Sequence, residues 1–441
     1  MTITLHRGRA RRAAAPGVRP LADCVGAGLR VPVLGGAWAP YVNLDCAATA
    51  PALVAVTDAV TRLLPHYASV HRGAGLPSRT CTAAYEAARR TVHAFVGSRD
   101  GDVAVFTRNT TDALNLVATA VPRGAGDVLF LDLEHHANLL PWQALPHRCI
   151  PVAATVTETL ERLAAALAAA PAALVAITGA SNVTGEVTPV RDIAALARTA
   201  GARVVVDAAQ LAPHRRIDLA ELGADYVALS GHKLYAPFGA GALVGRRDWL
   251  DAAPPYQLGG GAVREVTIAE TRWADAPARH EGGTPNLVGA VALAEACRVL
   301  AGLPGGALEA HEHALLTRLR DGLAAIGGVR VHRVWSDHDD VVGVASFAVE
   351  GHDPGELGAC LSAEHAIGVR SGRFCAHPLL SRLGAPEGAL RVSFGLGTTL
   401  ADVDRLLAAL ERVLRDGPRH AYRRDGVAWV PVEDDRPSPD L

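Results

Sequence analysis

The chain contains one lysine, Lys233, among 43 Lys+Arg residues, so 42 of its basic side chains are arginines. A guanidinium stays protonated in proteins, whereas a lysine amine can lose its proton and form an imine with a carbonyl. Lys233 is therefore either a chance survivor of a bias towards arginine or a residue kept for chemistry that arginine cannot supply. Ser230 and His232, just before it, offer a hydroxyl and an imidazole that could hold an anion while the amine reacts. Asp207 and Gln210 follow one apolar run, and Ser181-Asn182-Val183-Thr184-Gly185 follows another. An acid at the end of a buried strand is costly unless a cation pairs with it, and a protonated ring nitrogen would serve. Thr110 and Thr111 stand where a helix begins, and unpaired first-turn amides with a positive dipole end attract anions. Alone, those threonines read equally as a plain cap. His135, in Glu134-His135-His136-Ala137-Asn138, could lie on an aromatic ligand or pass protons. Alone, that segment reads as a polar loop.

Each of these segments sits behind a short apolar run. Runs at 103–106, 128–131, 173–178, 203–206, 226–229 and 242–244 read as strands, with helical segments at 157–169 and 190–200 between some of them. Continuous apolar strands alternating with helices indicate an α/β fold with a largely parallel sheet covered on both faces. Ligands in such sheets bind beyond the carboxyl ends of the strands, where these residues fall. Pro-Gly punctuation at 302–306 marks a boundary. Beyond it, a helix at 311–326, strands at 329–334 and 344–349, and helices at 354–365 and 400–414 suggest a smaller α/β domain. The expected organisation is a tail over 1–30, a large domain over 31–305 whose first residues could pack on the small one, a small domain over 306–416 carrying Cys375, and a tail over 417–441.

At ~150 residues per domain, 441 residues allow two or three domains. A net charge of −2 offers no global field for nucleic acid or an anionic membrane. No stretch approaches the ~20 apolar residues of a membrane span. Seven scattered cysteines without a CxxC pair argue against a disulfide framework and for a reducing compartment, the cytoplasm. No metal site is expected, and 311–313 and 336–340 read as solvated helix and loop faces.

Together the loops supply an anion site, a stacking imidazole, a carboxylate for a pyridinium, a donor for a phenolate oxygen and an imine-forming amine. Those parts suit pyridoxal 5'-phosphate. The segments Asn43-Leu44-Asp45-Cys46-Ala47-Ala48-Thr49, Thr110-Thr111-Asp112, Asp207-Ala208-Ala209-Gln210, Ser230-Gly231-His232-Lys233, Gly283-Thr284-Pro285-Asn286 and Arg370-Ser371-Gly372-Arg373-Phe374-Cys375 carry a further signal. In them the chain resembles the class V aminotransferase family of fold type I, in its cysteine desulfurase and selenocysteine lyase branch, from about residue 41 to 414. The resemblance implies a seven-stranded, mostly parallel sheet in the large domain. It implies that Lys233 carries the cofactor, His135 stacks on its ring, Asp207 pairs with its nitrogen and Gln210 meets its phenolate oxygen. Thr110, Thr111, Ser230 and His232 would bind phosphate, Asn182 would lie beside cofactor and substrate, and Arg391 and Arg370 would meet the substrate. It also implies a homodimer in which Thr284 reaches the partner's cofactor. Cys375 would take sulfur from L-cysteine or a relative as a persulfide, with a sulfur-acceptor protein as a possible partner.

The chain departs from the branch at Cys46, in the loop after Arg72-Gly73, and at Arg373-Phe374 before the cysteine. Another reaction of the same family, a transamination, epimerisation or C–S lysis of a specialised amino acid, is the alternative, and a non-catalytic scaffold is a third. Replacing Lys233 by Arg keeps the charge and removes the imine-forming amine. Lys233→Arg protein should purify without the yellow colour of bound cofactor, and a retained absorption band would refute the role of Lys233.

Overall fold

A computed structural model describes residues 18–437 of the chain. Its centre is a seven-stranded sheet of β1 (Val103–Thr107), β2 (Asp127–Leu131), β3 (His147–Ile150), β4 (Ala172–Thr178), β5 (Arg203–Asp207), β6 (Tyr226–Ser230) and β7 (Gly241–Gly245), in the order β1-β7-β6-β5-β4-β2-β3. Strands β2 to β6 pair in parallel, while β7 runs antiparallel to both β1 and β6. All seven residues of β4 and all five of β6 are buried, as expected of strands covered on both faces. Six of the strands coincide with apolar runs in the sequence. The seventh, β3, reads His-Arg-Cys-Ile and is exposed along much of its length, because an edge strand needs only one covered face. Gly241 opens β7 where a Cβ would stand 2.5 Å from the Leu229 carbonyl oxygen and 2.7 Å from Asn109 Cα. Only glycine lets β7 run this close to the loop before Thr110.

The smaller unit is an antiparallel sheet of β8 (Val329–Val331), β9 (Val344–Val349), β10 (Arg370–Gly372) and β11 (Ala389–Ser393), in the order β8-β9-β11-β10. Helices Ala307–Ala324, Pro354–His365 and Leu400–Asp416 bury Leu319, Leu361 and Leu406 against Phe347 and Val392 of this sheet. Val42 and Leu44 belong to the same core, and Val42–Asn43 pairs in parallel with Ile367–Gly368.

Both segments expected to be tails differ where they are described; residues 1–17 and 438–441 lie outside the described residues. Leu21 N donates to Leu396 O (2.7 Å) and Val25 N to Ala52 O (2.8 Å), so residues 18–30 lie along the junction of the two domains. Tyr422–Asp425 and Ala428–Pro431 form an antiparallel hairpin on helix Pro354–His365. A Cβ on Gly355 would come within 2.6 Å of Trp429 there. Glu364 accepts from the backbone N–H groups of Arg419 and His420 and from Tyr422 Oη at 3.1 to 3.2 Å. Charged, proline-rich sequence looks unstructured, but Trp429 and Tyr422 supply enough apolar surface to dock it. The face expected to be solvated at 311–313 also differs, because His311 and Glu312 are buried and Glu312 pairs with His214 and Arg215 of the large domain. Among the described residues no helix is long and apolar enough to cross a membrane. One grouping of metal-ligand types, Cys360, Glu364 and His365, has its ligand atoms within 4.8 Å of one another, with Glu364 already engaged by the hairpin.

Arg89, on helix Leu76–Phe95, is buried and forks onto Glu281 at 2.7 and 2.9 Å. Glu281 also accepts from Phe106 N (2.7 Å) and Tyr85 Oη (3.0 Å), which ties the end of β1 to the segment carrying Thr284. Glu281→Ala would leave Arg89 with Glu86 (3.1 Å) and the Ala104 carbonyl (2.6 Å) but would orphan the Phe106 N–H, and should lower unfolding stability by about 1–3 kcal/mol in denaturant titration.

Candidate active site

Beyond the carboxyl ends of β1, β2, β4, β5 and β6 lies a cavity of about 410 Å³. It is lined by Thr110, Thr111, His135, Asn182, Asp207, Gln210, Ser230, His232 and Lys233 from the large domain and by Arg370, Cys375 and Arg391 from the small one. Every site residue expected from the sequence is brought together here except Thr284, which is exposed and outside this cavity.

Asp207 ends β5, is 3 % exposed, and is held by Ala209 N at 2.9 Å. Burial pushes its carboxyl above the usual range, against the pull of Lys233. The same burial pushes the Lys233 amine down from 10.5 to about 8, with Asp207 opposing the shift. Such an amine is about one-tenth neutral at pH 7, against less than about one part in a thousand for an ordinary lysine, and the neutral form is the one that acts as nucleophile or base. His135 is pushed down to about 3 by burial first and by Lys233 next. Its Nδ1 accepts from Ala137 N at 3.0 Å, which leaves a neutral ring with the proton on Nε2. A neutral ring can stack on an aromatic ligand without adding charge beside the amine.

At the other end, helix Thr110–Ala120 begins under Asn109, whose side chain accepts from Asp112 N at 3.0 Å. The buried Thr110 Oγ1 and Ser230 Oγ have no partner among the described residues, and neither does Gln210 Oε1, whose amide donates to Ala47 O at 2.7 Å. His232 Nδ1 lies 2.8 Å from Thr49 Oγ1. Buried polar atoms are almost always satisfied, so three orphans lining one cavity indicate a polar ligand. The hydroxyls stand beside a helix N-terminus, which suits phosphate.

The small domain closes the cavity. Arg391 is 3 % exposed, with Nη2 on Asp45 at 3.0 Å, Nη1 on the Asn182 carbonyl at 3.1 Å and a buried Nε without a partner. Asn182 does more than line the cavity. Its side-chain amide donates to Phe374 O at 2.7 Å, so it holds the Cys375 loop while lining the cavity. Cys375 is exposed, and its carbonyl accepts from His136 N at 2.8 Å. Phe374 and Cys375 both take left-handed backbone (φ 51° and 53°), a conformation costing side-chain-bearing residues about 1–3 kcal/mol each.

Sequence reasoning passed over two supports. Beneath His135, Asn138 Nδ2 donates to the fully buried Glu134 (2.6 Å) and Trp142 Nε1 to Asn138 Oδ1 (3.2 Å). Burial pushes the Glu134 carboxyl well above the usual carboxylate range, against the pull of the Asn138 hydrogen bond. The spacing of 134, 138 and 142 was the available signal. Asp45 was the other, and only its contacts with two arginines reveal it.

The aminotransferase class-V family model matches residues 42–406, and the chain belongs to that family. Among its relatives, a cysteine desulfurase of Dickeya dadantii is 37 % identical over 392 residues, which cover 85 % of this chain and 92 % of that one. A probable cysteine desulfurase of Mycolicibacterium paratuberculosis is 38 % identical over 388 residues, 86 % of this chain and 56 % of that relative's length. The solved cysteine desulfurase of Thermococcus onnurineus NA1 superposes with a TM-score of 0.77 at 32 % identity, over 85 % of this chain and 95 % of that one. The chain is a pyridoxal phosphate-dependent enzyme of fold type I. The orphaned hydroxyls, the neutral stacking ring, the buried acid and the depressed amine fit that cofactor.

Since only the neutral amine reacts, cofactor uptake by cofactor-free protein should accelerate about tenfold per pH unit below about 8 and level off above it. A rate still climbing towards 10.5 would refute the burial of the amine. Between about 8 and 10.5 the unfolded chain binds the extra proton, so the unloaded protein should gain stability as pH rises through that window.

Proposed function

We propose that the chain converts L-cysteine to L-alanine and takes the sulfur onto Cys375 as a persulfide. The observation that carries this reading is the presence of Cys375, exposed and free, on the wall of the same cavity as Lys233 and Arg391. Asp207, Gln210, His135, Thr110, Thr111, Ser230 and His232 hold the cofactor, and Arg391, which lines the cavity with its Nε lacking a partner among the described residues, binds the substrate carboxylate. Bound pyridoxal phosphate supplies an electron sink next to the substrate Cα. Lys233 removes the Cα proton and returns a proton to the product carbon, a task suited to an amine poised near 8. Cys375 Sγ attacks the substrate sulfur as a thiolate. An S–S bond forms, the Cβ–S bond breaks with its electron pair left on carbon, and Cβ takes up a proton before alanine leaves. Reduction of the persulfide falls to a thiol on an acceptor protein or to an added reductant.

Two further parts of the reading rest on the family. Thr284 is exposed and outside its own cavity, as a residue serving a second subunit's cofactor would be. The lack of a membrane-crossing helix among the described residues is compatible with a cytoplasmic enzyme.

With L-cysteine and a reductant, wild type should release alanine and sulfide in equal amounts, and Cys375→Ala should lose both by at least an order of magnitude. Undiminished release by the variant would remove Cys375 from the reaction. No alanine from a yellow wild-type protein would turn attention to a different amino acid on the same frame.

A further inference from the structure

Arg370 and Arg391 are direct partners across β10 and β11, a like-charged cross-strand pair that repels unless an anion lies between. The anion is Asp45. Its Oδ1 lies 3.0 Å from Arg391 Nη2 and its Oδ2 lies 3.0 Å from Arg370 Nη2. Backbone contacts fix its place. Asp45 bridges to Ser393 of β11, its N–H donates to Asn43 Oδ1 (3.1 Å), and Ser393 N donates to Leu44 O (2.8 Å). The carboxylate therefore belongs to the strand arrangement and is not a side chain swinging free.

Two guanidiniums and one carboxylate leave a single positive charge at this end of the cavity. His135 adds none, and Lys233 shares the far wall with Asp207. Arg391 has its Nη2 committed to Asp45 and its Nη1 to the Asn182 carbonyl, while its buried Nε has no partner. The α-carboxylate of an amino acid completes the balance. A second acidic group would meet only the half-exposed edge of Arg370, whose Nη2 already holds Asp45, and would bring a negative charge that this end of the cavity no longer compensates.

We propose that Asp45 is a specificity-determining residue, which by spanning Arg370 and Arg391 restricts the cavity to amino acids with an uncharged side chain and excludes those with a second acidic group. The inference rests on the reading that Arg391 receives the substrate carboxylate. Asp45→Asn keeps the shape, frees both Nη2 groups and leaves two positive charges uncompensated.

The test titrates the cofactor-loaded enzyme with L-alanine and with L-aspartate, following the change in cofactor absorption, and repeats both as competitive inhibitors of L-cysteine turnover. Asp45→Asn should improve aspartate binding relative to alanine by about tenfold or more. Asp45→Glu, which keeps the charge, should hold the ratio near wild type. Arg370→Met, which removes one positive charge and keeps Asp45 paired, should move the ratio the other way. It also serves if Asp45→Asn folds poorly. A ratio unmoved in the variants, or parallel weakening of both ligands, overturns the proposal, since a merely structural Asp45 would loosen both alike. Failure of the desulfurase reading would be seen separately, as no alanine formed from L-cysteine by an enzyme that still discriminates between these ligands.

Discussion

The site depends on one costly placement, a carboxylate buried at the end of the central strand β5. Asp207 has a single backbone donor, and burial drives its carboxyl towards protonation. It stays useful only while cationic groups stand near it, and the one lysine of the chain lies on the next parallel strand connection, three residues past the end of β6. Each shifts the other towards its charged form while burial shifts both towards the neutral one. A pair so balanced is poised to accept a ligand that brings its own ring nitrogen and carbonyl. Burial pushes the Glu134 carboxyl up in the same way, with Asp207 adding to the shift.

The small domain contributes what the parallel sheet cannot. Strand ends of the large domain present short polar loops, whereas recognition of a carboxylate needs a rigid guanidinium. Arg391 has that rigidity because β11 is central in its own sheet and the side chain is locked by Asp45 and Asn182. The two domains are fastened independently of the cavity by Glu312, which takes His214 and Arg215 from the large domain and the Gly343 N–H from the small one. Glu186 does the same through the N–H groups of Val334 and Trp335. With the junction carried by buried carboxylates away from the ligand, the cavity walls are left free for chemistry.

Legibility followed local chemistry. Continuous apolar strands and the polar residues behind them could be read because a parallel sheet buries both faces and projects its loops at one edge. Residues acting across long separations could not. Asp45 precedes Arg391 by 346 positions and Asn182 precedes Phe374 by 192, and no periodicity joins them. Strand β3 and the hairpin at 422–431 were missed for a different reason. Their burial comes from one face or a few aromatic contacts, so composition there resembles loop. Thr284 is exposed, and nothing among the described residues brings it to the cavity.

The Cys375 loop shows how a reactive side chain can be aimed and still exposed. A buried cysteine is positioned by packing, but burial raises a thiol's pKa, as it does for Cys46, pushed up to about 12. Cys375 stays exposed because its backbone is positioned instead. Asn182 holds the carbonyl before it, His136 N holds its own carbonyl, and the Ala376 N–H closes back on Arg373 O at 2.9 Å. These bonds force Phe374 and Cys375 into left-handed conformation, with Phe374 pressed under the Arg391 guanidinium at 5.1 Å. The strain is sustained by contacts from three separate elements. The sulfur that results borders both the inner cavity and a second cleft of about 680 Å³ lined by Leu140, Pro141 and Leu145. Backbone anchoring thus sets Cys375 at the boundary of two openings without burying its thiol.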